Sequence, residues 1–189
     1  MSGPDGIESE LKIPVDDLHC VRSMLADRGG TCRHGMRREH NLVLDTADGT
    51  LASRGRLLRL RTVGTYHLLT FKGPASFRGA IKERAELEIE VESSQVMLAI
   101  FAELGVQPVV RYEKDREEWL LGGVAVCLDH TPMGEFVELE GDPERLAEVA
   151  AALLLDPAAA VADSYLGLWG EHRRRHPELR LPADMVFPP

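Results

Sequence analysis

The chain has 189 residues, the size of one domain, and 44% of them are apolar, enough for a substantial core. Its net charge of −9 argues against non-specific nucleic-acid binding, which requires a basic face, and its three separated cysteines fit neither a disulfide framework nor a Cys-x-x-Cys metal site. With neither a signal-peptide pattern nor an apolar run of about 20 residues, the expectation is a cytoplasmic protein that binds neither nucleic acid nor membranes.

Apolar periodicity and turn residues predict the elements of the first half of the chain. In order, these are a strand over 7–13, a helix over 16–27, an ambiguous polar segment over 33–39, a strand over 41–45 and a turn over 46–49. Two further strands are predicted over 56–63 and 66–72. The Gly64-Thr65 pair between them begins with glycine, which is typical of a two-residue hairpin loop.

The second half continues the antiparallel pattern and ends in helices. It is predicted to contain a strand over 84–92, a helix over 93–104, a hairpin of strands over 109–121 and 124–129, a strand over 136–140, and helices over 143–155 and 158–176. The proline-rich tail, 177–189, is either an extended strap or disordered. About eight strands with few helices favour a barrel or an α+β sheet, and periodicity does not choose between these two.

The polar faces of the predicted strands are almost entirely charged. The residues that alternate with apolar neighbours are Glu8, Glu10, Lys12, Arg59, Arg61, Lys72, Arg84, Glu86, Glu88, Glu90, Lys114, Arg116, Glu138 and Glu140. Any one of these strands is typical of a sheet with one face in water. Surface strands, however, usually mix charges with Thr and other uncharged residues, and these strands also sort by sign.

A closed sheet with these faces inward would have a lumen too charged to be dry, because burying ions costs several kcal/mol each. A polyphosphate with bound metal would match such a lumen. Cationic side chains would bind phosphate oxygens, and carboxylates would hold the metal.

The same residues resemble the signature of the CYTH superfamily, the triphosphate tunnel metalloenzymes. The blocks occur in the family's order: Glu8-Ser9-Glu10-Leu11-Lys12, Leu44-Asp45-Thr46, Leu57 to Arg61, Leu69 to Gly73, Arg84 to Glu90, Lys114-Asp115-Arg116, Leu128-Asp129, Gly134 to Gly141 and Ser164-Tyr165-Leu166. The resemblance covers about residues 6–170, and the block from Gly134 to Gly141 is the most specific.

This resemblance implies an α+β fold whose centre is a closed eight-stranded antiparallel β-barrel with flanking helices. It places the tunnel domain at residues 1–176 and leaves 177–189 as a C-terminal tail. It also implies Mg²⁺ or Mn²⁺ as cofactor, with metal ligands or their neighbours at Glu8, Glu10, Asp129, Glu138 and Glu140. The implied substrate-binding residues are Lys12, Arg59, Arg61, Lys72, Arg84, Lys114 and Arg116. The catalytic group would comprise Glu8, Glu10, Lys12, Arg59, Arg61, Lys72, Arg116, Glu138 and Glu140, while Glu86 and Glu88 would line the tunnel.

The function that the resemblance implies is metal-dependent hydrolysis of a triphosphate compound. Inorganic triphosphate is favoured, because no adenine or thiazolium pocket can be identified in the sequence. The alternatives are a class IV-type adenylate cyclase, a thiamine triphosphatase and a non-catalytic module that binds polyphosphate or nucleotide. The paired glutamates argue against the last, since an anion binder needs cations more than carboxylates. A homodimer is a further option, although no apolar stripe in the sequence identifies an interface.

Two other patterns are given structural interpretations. His172 and His176 have a spacing that could bind zinc, but they lie in a basic segment, His172 to His176, that is typical of an exposed helix end. No Gly-rich phosphate loop is present, so side chains would have to bind the phosphates.

Overall fold

The computed structural model describes residues 7–188, and its main feature is one antiparallel sheet of nine strands. The strands are β1 (Ile7–Val15), β2 (Thr31–Thr46), β3 (Leu57–Val63), β4 (Tyr66–Lys72), β5 (Ser76–Arg78), β6 (Ile81–Glu90), β7 (Val106–Leu121), β8 (Val124–Thr131) and β9 (Gly134–Glu140). The helices are α1 (Leu18–Asp27), α2 (Thr50–Ser53), α3 (Ser94–Glu103), α4 (Pro143–Ala152) and α5 (Tyr165–Arg175). Short 3-10 turns occupy Pro157–Ala159 and Pro177–Leu179.

Eight of the strands close into a barrel in the order β1-β9-β8-β7-β2-β3-β4-β6. Closure comes from the pairing of β1 with β6, in which Ile7 faces Ala85 and Glu10 faces Lys82. The short strand β5 pairs only with β6 and lies outside the ring. The predicted α+β fold with a closed eight-stranded antiparallel barrel is therefore confirmed.

The main apolar core lies outside the barrel, between the strands and two helices. Aliphatic residues of β1, β8 and β9 pack against α1 and α4, and the fully buried members of this core include Leu25, Val126, Leu128, Leu139 and Leu146. Both helices begin at an aspartate cap, because the side chains of Asp17 and Asp142 accept backbone N–H groups of the first turn. Period-2 alternation then leaves the opposite, charged face of each strand for the lumen.

Several predicted boundaries differ from the structure, and three of these differences bear on the lumen. The ambiguous segment 33–39 belongs to β2, a 16-residue strand that pairs along its length with β7, with register shifts between Cys32 and His34 and between His34 and Arg37. Long-range pairing, which leaves no local signal, makes this polar segment a strand. Strand β6 begins at Ile81 rather than 84. The predicted helix 158–176 begins only at Tyr165, where Ser164 caps it by accepting from Gly167 N.

The C-terminal tail is an extended strap within the described residues. Met185 is completely buried and joins a second apolar cluster with Tyr112, Phe136, Tyr165 and Trp169. The tail also bonds to α5, because Trp169 Nε1 donates to the carbonyl of Pro182 at 3.1 Å. Of the two interpretations of the tail, the strap is the one that the structure supports.

Two apolar surfaces are much less covered than the side under α1 and α4. One is helix α3, which contains no buried residue, although most of its side chains are apolar. On the outer face of β6, Leu87 is 67% exposed and Ile89 is 62% exposed. Their cross-strand partners on β4, Phe71 and Leu69, continue the same apolar face. Among residues 7–188, no helix is long and apolar enough to cross a membrane.

Candidate functional site

The lumen of the barrel contains a cavity of about 670 Å³ with a densely charged wall. The predicted site residues that line it are Glu8, Glu10, Lys12, Arg59, Arg61, Lys72, Arg84, Lys114, Arg116, Glu138 and Glu140. Glu86 and Glu88 line it as well. Asp129 is the one predicted site residue that does not, because it lies behind the lining side chains and is completely buried.

Three neighbouring strands, β6, β1 and β9, place most of the carboxylates on one wall. The pairing of β1 with β9 sets Glu10 beside Glu140 and Lys12 beside Glu138. Lys72 Nζ, from β4, reaches across to Glu8 Oε2 at 2.5 Å and to Glu86 Oε1 at 3.1 Å. Glutamates and lysines of four strands therefore form one contiguous polar network.

The carboxylates on this wall are too crowded to ionise equally. Burial raises the pKa of Glu86 to about 8, with a hydrogen bond to Glu8 acting in the same direction. Burial also opposes ionisation of Glu8, but its hydrogen bond with Glu86 and the charge of Lys72 outweigh it and lower the pKa of Glu8 to about 2. Burial and the negative charge of Glu8 raise the pKa of Glu140 to about 7. At neutral pH Glu86 therefore keeps its proton and Glu140 is only partly ionised, whereas Glu8 is charged.

The opposite part of the lumen, formed by β3, β2 and β7, presents guanidinium and ammonium groups. Arg59 donates to Tyr112 Oη at 3.2 Å and to Thr70 Oγ1 at 3.1 Å, which leaves its buried Nε without a partner. Arg61 Nη1 lies 3.1 Å from Glu39 Oε1. A buried N–H donor that no protein group satisfies is a place where an anionic acceptor would bind favourably.

Asp129 organises the cations of β7 from behind the lumen. It accepts from Lys114 Nζ at 2.9 Å, from Arg116 Nε at 2.7 Å and from the hydroxyl of Tyr165 at 2.6 Å. The ring of Tyr165 also lies 4.4 Å from Lys12 Nζ and 4.9 Å from Lys114 Nζ, measured to its centroid. With both of its oxygens engaged in this way, Asp129 is placed to orient cations.

Among the lumen residues that the sequence prediction missed, three belong to the charged network or support it. Lys82 Nζ bonds Glu10 Oε1 at 2.9 Å, and its position was missed because the predicted strand began three residues too late. Glu39 fell in the ambiguous segment 33–39, although it is 3% exposed and forms ion pairs with Arg61 and Lys114. Tyr112 was not singled out, although it is in phase with Lys114 and Arg116 on the same predicted strand.

The carboxylate wall is chemically suited to a divalent cation. Carboxylate oxygens are the ligands that Mg²⁺ and Mn²⁺ prefer, and a bound cation could replace the protons that Glu86 and Glu140 would otherwise keep near neutral pH. Within the described part of the chain, no three His, Cys, Asp or Glu side chains are grouped closely enough to hold a metal by themselves. Mg²⁺ usually needs only one or two carboxylates together with substrate phosphates, so the residues present fit such an ion.

Comparisons with known proteins agree with this geometry. A protein of Methanocaldococcus jannaschii named as a putative adenylate cyclase is 27% identical over 175 residues, which cover 87% of this chain and 99% of that protein. Among solved structures, a putative adenylate cyclase from Vibrio parahaemolyticus superposes with a TM-score of 0.77 at 21% identity, covering 87% of this chain and 98% of that one.

A second solved structure shares the fold at lower similarity. It is a putative adenylyl cyclase from Hippeastrum, described as having a dominant triphosphatase activity, with a TM-score of 0.68 and 17% identity over 87% of this chain and 96% of that one. At these identities the two structures show a common fold. The model of the CYTH domain matches residues 6–157, most of the chain. The chain therefore belongs to the CYTH family.

Proposed function

We propose that this protein hydrolyses a triphosphate compound with the help of a divalent metal ion, and that inorganic triphosphate is its substrate. The observation that carries the proposal is the enclosed lumen, in which a carboxylate wall faces a wall of cations across a cavity of about 670 Å³. The unpartnered Nε of Arg59 adds a specific reason to expect an anionic ligand. The phosphate groups would supply negative charge to the cationic wall, and the metal would supply positive charge to the carboxylate wall.

The cations of the lumen would bind and neutralise the phosphate chain. Arg59, Arg61 and Lys114 are mounted on adjacent or nearby strands, so they can contact successive phosphate groups, and Arg116 stands beside Glu138 at the boundary of the two walls. Stabilising the charge of the departing phosphoryl group is the main requirement of phosphoryl transfer. Because the barrel walls are rigid sheet, these side chains would be preorganised for that role.

The carboxylate wall would hold the metal. Glu8, Glu10, Glu138 and Glu140 are the residues proposed to bind Mg²⁺ or Mn²⁺ or to lie next to its ligands. The bound ion would neutralise phosphate oxygens and lower the pKa of a water molecule. Asp129, which the family resemblance also implied as a metal residue, is proposed instead to position Lys114 and Arg116, because both of its oxygens already accept from protein donors.

A specific feature of the cavity favours a second candidate, cyclisation or hydrolysis of ATP. Val63 and Tyr66 face each other across the β3–β4 hairpin, and both line the cavity together with Leu68. Such an apolar group could contact the base of a nucleotide, whereas inorganic triphosphate would not use it. The Methanocaldococcus and Vibrio relatives are named as putative adenylate cyclases, which also favours ATP as the substrate.

The test is one assay panel on the purified protein with Mg²⁺ or Mn²⁺. Inorganic triphosphate, ATP and thiamine triphosphate are each offered, and both released phosphate and cyclic AMP are measured. We expect phosphate from inorganic triphosphate, abolished by EDTA. Cyclic AMP from ATP would replace this proposal with the cyclase. Tight triphosphate binding without any product would indicate a binding module and would overturn the proposed hydrolysis.

We also propose that two copies of the chain associate through the outer face of β6 and β4. This surface consists of Leu87 and Ile89 of β6, which are 67% and 62% exposed, and of Phe71 and Leu69, their partners on β4. Because these four side chains are apolar, a charged partner would find no complement among them. A second copy brings the same apolar surface, and twofold pairing is the commonest closed arrangement.

Light scattering coupled to size exclusion tests the dimer without any substrate. We expect the wild-type protein at twice the chain mass, and Leu87→Glu and Ile89→Glu variants at the mass of one chain with unchanged circular dichroism. Leu179→Glu is the matched control, because Leu179 is also exposed (54%) but lies outside the surface. A monomeric wild type, or dimeric Leu87→Glu and Ile89→Glu variants, would overturn the interface.

A further inference from the structure

The C-terminal strap, residues 181–188, replaces a missing strand in the barrel wall. The ladder between β7 and β8 begins only at Asp115, which faces His130, so β7 lacks this neighbour at residues 111–113. The strap occupies that edge. Met185 N donates to the carbonyl of Arg111 at 3.0 Å, and Glu113 N donates to the carbonyl of Met185 at 2.7 Å. Met185 and Tyr112 thereby form a parallel bridge.

Side-chain contacts fix the strap on both sides of this bridge. Asp184 accepts from the backbone N–H of Arg111 at 2.9 Å and from its Nε at 3.0 Å. Phe187 stacks on His130 with 5.3 Å between ring centroids, and the guanidinium of Arg38 lies 4.0 Å from the Phe187 ring. The strap is thus ordered by several independent contacts, although it lies beyond residue 157, where the match to the family model ends.

The residue that the strap holds most directly is a residue of the lumen. The Met185 side chain is completely buried in the cluster that includes Tyr112 and Tyr165. Tyr112 lines the cavity, and its hydroxyl accepts the hydrogen bond from Arg59 Nη1. That bond helps to orient the guanidinium whose Nε has no protein partner. A continuous chain of contacts therefore runs from the strap through Tyr112 to the proposed phosphate-binding arginine.

We propose that Met185 is a positioning residue for phosphate binding, acting through Tyr112 on Arg59. The inference rests on the proposed function and extends the site to residues 181–188, which the family model does not cover. Without the Met185 side chain, the Tyr112 ring would lose a packing partner and could move into the resulting cavity. Arg59 would then have to be ordered by the substrate, which weakens binding because preorganisation is lost.

Calorimetric titration of the full-length protein with inorganic triphosphate tests this chain of contacts. We expect Met185→Ala and Tyr112→Phe each to weaken binding by about five- to tenfold, as expected for one charge-assisted hydrogen bond. Met185→Leu, which conserves volume, should restore near wild-type affinity. Phe187→Ala is the matched control: it loses contacts of the same strap on the surface, so it should lower the melting temperature without changing affinity.

A double-mutant cycle separates positioning from general destabilisation. In an Arg59→Ala background, Met185→Ala should have no further effect on affinity, because the group that it positions is already absent. Fully additive losses, or an affinity of Met185→Ala equal to that of the wild type, would overturn the inference while leaving the proposed function intact. Failure of the wild-type protein to bind triphosphate would instead overturn the proposed function and this inference with it.

Discussion

Arg116 and Asp129 form a bidentate ion pair beside the cavity, with Arg116 Nε 2.7 Å from Asp129 Oδ1 and Nη2 2.6 Å from Oδ2. Asp129 is completely buried and also accepts from Lys114 and Tyr165. A carboxylate that receives donors from three side chains balances the charge of the lumen cations and fixes their directions. Because Asp129 holds these donors together, substituting it is a direct way to perturb the site.

Replacing Asp129 with asparagine should destabilise the protein and impair the site together. The change removes one of the two carboxylates that Lys114 and Arg116 share, the other being Glu138, and breaking a buried pair in this way costs about 3–5 kcal/mol of unfolding free energy. Urea denaturation measures the loss. Asp115→Asn is the control, because Asp115 pairs with the half-exposed Arg38 at the surface and should cost about 1 kcal/mol or less. Equal losses in the two variants would contradict the buried role.

Removing either of two lumen carboxylates should abolish turnover. We expect Glu10→Ala and Glu138→Ala to weaken metal binding, so that activity at saturating Mg²⁺ falls by a factor of about 100 or more. Released phosphate is the measurement. The control is Glu117→Gln, because Glu117 is equally buried but bonds Arg22 and Trp119 and does not line the cavity. Wild-type rates in Glu10→Ala and Glu138→Ala would show that the metal is held elsewhere.

Asp45 should give the protein a measurable acid sensitivity. Burial opposes its ionisation, but backbone N–H groups of Leu51, Ala52 and Thr46 donate to it and outweigh burial, so its pKa is lowered. A carboxyl group whose pKa is lower in the folded state stabilises the protein above its unfolded pKa, about 3.9, and this contribution is lost as the pH falls through the folded pKa.

The variant Asp45→Asn isolates that contribution. Near pH 7 it should lower the unfolding free energy by about 1–3 kcal/mol, because the donors lose a charged acceptor. The difference from the wild type should shrink as the pH falls below about 4, where the wild type also loses the charge. Unfolding midpoints in urea, measured across this pH range, give the comparison. A difference that stays constant with pH would mean that the charge of Asp45 contributes nothing.

The outer core should be sensitive to truncation at Leu146. This residue of α4 is completely buried between the helix and the barrel, so Leu146→Ala should cost about 2–5 kcal/mol through lost burial and a residual cavity. Thermal unfolding measures the effect. At the exposed Leu179 the same substitution should change stability by about 0.5 kcal/mol or less. A small effect at Leu146 would indicate that α4 is not an integral part of the core.

Periodicity predicted antiparallel strands, and the resemblance to the CYTH family predicted that they close into a barrel. Alternation with period 2 fixes which side chains share a face, so Glu8 and Glu10, like Arg59 and Arg61, were expected on the same face and line the cavity together. The resemblance to the CYTH family was confirmed by the match over residues 6–157. The division at residue 176 and the individual roles of the site residues remain predictions.

Tertiary structure decided what depends on contacts between distant parts of the chain. Only the pairing of β2 with β7 makes the polar segment around Glu39 a strand, and only the closed barrel brings Lys82 to Glu10. Likewise, the separation of Asp129 from the cavity and the strap contact of Met185 with Tyr112 follow from packing. Local periodicity indicates which face of its own strand a side chain occupies. Which residue that side chain contacts depends on strands far along the chain, and these are brought together only when the sheet closes.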